Sequence, residues 1–91
     1  MSYDPAIAVR VRAALAGRDV TERPMFGTLG FMVDGRLAVA AAADGLLVKA
    51  GETDDPLARP ATMGGRQMKG WMLVAPEADL EAWIARALRP S

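Results

Sequence analysis

Three carboxylates, Glu52, Asp54 and Asp55, crowd into the stretch GETDDPLARPATMGG, and oxygen donors gathered in this way can hold a hard cation. The stretch lacks the central glycine and distal glutamate of a calcium-binding loop, so a solvated turn capped by Thr53 explains it better. Lys49, Arg66 and Lys69 form a second set, with Trp71 beside it, whose chemistry would suit a planar or anionic ligand. A tryptophan in the strand of a small domain is more often core. The inventory closes most other routes: histidine and cysteine are absent, and the serines are Ser2 and Ser91. His-based acid–base catalysis, Ser–His nucleophiles, thiolate chemistry and His/Cys metal sites therefore fall away. Gly27 and Gly30 lie inside an alternating apolar run with no GK[ST] after them, so they do not make a phosphate loop. No catalytic residue, cofactor-binding residue or metal ligand is assigned, and the expectation is a protein that is not an enzyme.

The central stretch RPMFGTLGFMVDGRLAVAAAADGLLVKA carries two Asp-Gly pairs between apolar runs. Asp-Gly favours a two-residue hairpin turn because both central residues need positive φ. Strands are expected at about 24–33, 36–43 and 46–50. Two-residue turns at Asp34-Gly35 and Asp44-Gly45 would set Val33 opposite Arg36, Phe31 opposite Ala38, Leu29 opposite Ala40 and Ala42 opposite Leu47. One face would then carry Leu29, Phe31, Val33 and alanines, and the other Met32, Leu37, Val39, Ala41, Leu46 and Val48. Both faces are apolar, so both need cover, either from within the chain or from a second copy. A fourth strand is expected at 66–74 (RQMKGWMLV), broken at Gly70.

Helices flank the sheet. Asp4 and Pro5 suit an N-cap and first position, Ile7, Val11, Ala14 and Leu15 repeat at helical spacing, and Gly17 ends a helix over about 5–16. Leu80, Trp83, Ile84, Ala87 and Leu88 make the apolar stripe of a second helix over 76–88. The chain is read as one domain, 1–91, of α+β class: an antiparallel sheet of four to five strands with N- and C-terminal helices packed on it.

Eleven basic residues balance eleven acidic ones, with a pI near 6.2. Direct nucleic-acid binding is therefore not expected, because non-specific contact with phosphate backbones needs a basic surplus. No apolar run approaches the roughly 20 residues of a membrane span and no signal peptide is seen, so a cytoplasmic protein without membrane contact is expected. Eighteen alanines and five aromatics leave few large side chains for the core, which the six methionines help to fill.

The signatures PMFG and GRQMKGW, with the closing helix DLEAWIARAL, resemble the N-terminal domain of the TfoX/Sxy family over about residues 20–88. The resemblance implies a two-layer fold of the secretion-chaperone type, frequent pairing into homodimers, and a role in regulating DNA-uptake competence by protein contact. It implies no catalytic residues and no cofactor. The expected interaction surface comprises Leu37, Val39, Leu46 and Val48 on the second sheet face, with Lys49, Arg66 and Lys69 at its rim. The rival expectation is a small-ligand-binding protein using the methionine-rich surface with Lys49, Arg66 and Lys69.

Overall fold

The computed structural model describes residues 3–25, 27–49, 55–63 and 65–88. Helix α1 (Pro5–Ala14) starts where the Asp4 side chain accepts a hydrogen bond from the Ala6 N–H at 2.9 Å, with proline in the first turn. It is slightly shorter than expected and closes through the Leu15 N–H on the Val11 carbonyl. The second helix, α2 (Leu80–Leu88), begins later than Pro76 because Asp79 caps it, accepting from the Ala82 N–H at 3.1 Å. Its expected stripe is buried through Leu80, Trp83 and Ile84.

Among the described residues six strands, not four to five, form one antiparallel sheet: β1 (Val20–Met25), β2 (Thr28–Val33), β3 (Arg36–Ala41), β4 (Leu46–Lys49), β5 (Ala58–Met63) and β6 (Arg66–Val74), in the order β1-β2-β3-β4-β6-β5. The segment expected as a single strand from Pro24 is in fact the end of β1, a turn, and β2. The two added strands are the sheet edges. Each carries an Arg-Pro pair, Arg23-Pro24 and Arg59-Pro60, which suits an edge because proline cannot donate to a further strand.

The first turn forms as the residue types require. Asp34 and Gly35 both have positive φ, 52° and 84°, and Val33 stands opposite Arg36. Two residues further on, the register departs from expectation. Met32 pairs with Leu37 but Phe31 pairs with Val39, leaving Ala38 as an extra residue in β3. One extra residue exchanges the faces of everything beyond it. Val39, Ala41, Leu46 and Val48 thus join Leu29, Phe31 and Val33 beneath the two helices, together with Met72 and Val74.

The second turn is also displaced by one residue. Ala41 pairs with Leu46, and the Ala42 N–H donates to the Gly45 carbonyl at 2.9 Å, so Ala43 and Asp44 occupy the bend. Gly45 is required for another reason: a Cβ there would run into the Val74 carbonyl oxygen of β6.

Both helices pack on the same face of the sheet, and ion pairs fasten α1 at two points. Arg10 reaches Glu81 of α2 at 3.2 Å. Arg12 makes a two-pronged contact with Glu22 of β1, at 2.7 and 2.8 Å. The hydrogen bonds from Arg12 hold the Glu22 carboxyl below its ordinary range, against a smaller opposing effect of burial.

Three outcomes follow from this packing. Val48, fully shielded under the helices, becomes Glu only with loss of folding, read as collapse of the circular dichroism signal, because an unpaired charge would be buried. Trp83→Ala lowers unfolding free energy by about 3–5 kcal/mol in denaturant titration. Glu22→Gln produces a small downward offset in the denaturation midpoint at neutral pH. Because the folded-state carboxyl titrates low, its stabilisation is present above the ordinary carboxylate range and is lost as pH falls, so the offset closes in acid.

Candidate interaction surface

The face turned away from the helices is built from residues that lie far apart in the chain. Arg23 pairs with Gly30, Gly30 with Ala40, Ala40 with Leu47, Leu47 with Leu73, and Leu73 with Arg59. Directly paired residues share a face, so these six make one row across the whole sheet. Its centre is apolar and an arginine stands at each end. Gly30 is a gap in the row over which two neighbours close: a Cβ there would lie 3.0 Å from Leu37 Cδ1 and 3.1 Å from Met25 Cε.

A neighbouring row holds Thr21, Met32 and Leu37, and further across the sheet Lys49 stands opposite Trp71. Ala40, Ala42, Leu47 and Ala61 are buried on this side, with half-buried Met68, Trp71 and Leu73 packed against them. The pairing of β5 with β6 is irregular here. Between Pro60 and Thr62 the edge strand advances two residues while β6 advances from Gln67 to Met72. Gly70, at φ 83°, takes up the excess.

The two faces differ in how their charges are used. On the helix side Arg10 and Arg12 each hold a carboxylate. On the open side Arg23 and Lys49 have no ion pair among the described residues, and Arg59 meets Asp44 at 3.4 Å with both side chains largely exposed. A 460 Å³ cleft at the Asp44 and Arg59 end of this face is floored by Leu47, Leu73 and Ala61, a volume in the range of small-ligand clefts.

The structure divides the surface expected from the sequence. Val39, Leu46 and Val48 are shut into the helix-side core, with no exposure, because the extra residue at Ala38 turned them inward. Leu37 and Lys49 do lie on the open face. Arg66 and Lys69 are exposed, Arg66 at the start of β6 opposite Met63, and neither they nor Lys49 line the cleft. Leu47, Leu73, Arg23 and Arg59, which now define the surface, went unrecognised because their adjacency depends on strand order and on two edge strands that sequence periodicity does not reveal.

The acidic stretch is only partly visible. Glu52 and Asp54, with the Thr53 cap, lie outside the described residues, while Asp55 accepts the Leu57 N–H at 2.9 Å as a turn-closing residue. Among the described residues no group of three or more His, Cys, Asp or Glu is placed to hold a metal. No helix among them is long and apolar enough to cross a membrane.

The model of the TfoX N-terminal domain matches residues 13–90. The chain belongs to this family. No curated protein and no solved structure matches it. Within the TfoX N-terminal domain, Pro24 and Met25 of the PMFG signature end β1 and its Gly27 precedes β2, and GRQMKGW covers the start of β6 through its irregularity at Gly70. Both signatures therefore fall on the edge hairpins that complete the open face.

Proposed function

We propose that this TfoX N-terminal domain is a non-enzymatic module that works by protein contact through the open sheet face, in regulation of the competence or transcription type. The observation that supports this reading is the row Arg23, Gly30, Ala40, Leu47, Leu73, Arg59. Gly30, Ala40 and Leu47 of that row are buried, and the apolar surface on this side, which neither helix covers, belongs to half-buried Met25, Met32, Leu37, Trp71 and Leu73; contiguous apolar surface rimmed by polar residues is how contact sites are built. The edges are poor alternatives, since Pro24 and Pro60 interrupt strand addition at both.

The 460 Å³ cleft favours one other reading, a small-ligand site. Its polar fittings are the exposed Asp44–Arg59 pair and threonine hydroxyls, of which Thr28 already donates to the Met25 carbonyl at 2.7 Å. Few convergent groups remain to orient a ligand.

Leu73→Glu separates these readings. The variant is expected to keep its helical circular dichroism signal and to lose proteins that the wild-type chain captures under crosslinking. Undiminished capture would remove the open face from the reading. A metabolite that raises the melting temperature of the wild type but not of Arg59→Ala would instead establish the cleft as a ligand site.

A further inference from the structure

We infer that the open face is built to receive an amphipathic helix from another protein, with leucine-like side chains along one side and carboxylates towards both ends. The inference rests on the contact reading above and names the partner. Its carrying observation is the charge on that face: Arg23, Lys49 and Arg59 stand against the single carboxylate of Asp44 among the described residues. The surplus is local, because the whole chain is neutral.

That surplus discriminates between occupants. A second copy laid symmetrically on this face would bring its own Arg23, Lys49 and Arg59 against these, and like charges across an interface are costly. An acidic segment would find each cation a partner. The existing Asp44–Arg59 contact is no obstacle, since an exposed pair at 3.4 Å contributes little.

The spacing sets the length. The row crosses six strands, and five gaps of about 4.8 Å put its two arginines roughly 24 Å apart at the backbone. At 1.5 Å per residue, a helix of about 16 residues spans this distance. Half-buried Leu73, with Met25 and Leu37 folded over Gly30, supplies the apolar contact between the charged ends, above the buried Leu47.

The test uses the full chain and two synthetic 16-residue peptides with the same leucine face, one ending in glutamates at both ends and one in lysines. Fluorescence anisotropy is expected to show the acidic peptide binding at least tenfold more tightly than the basic one, with the gap narrowing as salt is raised. Arg23→Glu combined with Arg59→Glu, both at exposed edge positions, should reverse the preference and leave the circular dichroism spectrum unchanged. Equal binding of the two peptides overturns the charge selection while leaving the contact reading standing. Should neither bind, light scattering decides what else fails: a dimer that Leu73→Glu splits makes a second copy the occupant, and a monomer overturns both the inference and the contact reading.

Discussion

The extra residue at Ala38 decides what this sheet is for. Strand side chains alternate strictly, so without it β3 would place Ala38, Ala40 and Ala42 beneath the helices and send Val39, Leu46 and Val48 to the other side. With it, three large side chains lie fully shielded under α1 and α2. Each such side chain contributes about 1.5–3 kcal/mol more when buried than when exposed. Three together rival the whole net stability of a small domain, about 5 kcal/mol or more. The local loss of ladder pairing at a bulge is small beside that. The alanines are left for the open face, where Ala40 and Ala42 are buried with Leu47 and Ala61 beneath half-buried Met68, Trp71 and Leu73.

This constraint also explains why the fold was legible only in parts. Asp34-Gly35 announced its turn because both residues adopt the positive φ that the pair favours. Asp44-Gly45 is the same dipeptide, yet its glycine answers to the Val74 carbonyl, 29 residues away in the chain. Both helices could be read from their caps and apolar stripes, because those signals are local. The edge strands could not: Thr21 to Pro24 are all exposed, and Pro60 interrupts β5. A strand hydrogen-bonded on one side, and wetted along most of its length, has no apolar alternation to display.

The candidate surface failed to appear in the sequence for a related reason. Leu37 lies on it, and so does Lys49, which the sequence sets at the rim of the sheet. The row that organises it runs perpendicular to the chain, from Arg23 through Gly30, Ala40 and Leu47 to Leu73 and back to Arg59. No period within any one strand encodes such a row. It exists only once the strand order is known, and in particular once β6 inserts between β4 and β5.

The two Arg-Pro pairs show how closing the edges and defining the face are the same act. In both edge strands the proline stands opposite a helix-side residue, Pro24 against Leu29 and Pro60 against Met72. The arginine before it is therefore turned to the open side. Proline denies a donor to any incoming strand, which directs association away from the edges. Arginine places a permanently charged, planar donor at the limit of the apolar row, where it repels a second copy and welcomes a carboxylate. A lysine-rich edge would block aggregation equally well but without the paired donors that fit a carboxylate. The repetition of the dipeptide on strands at opposite sides of the sheet thus gives the open face both its boundary and its sign.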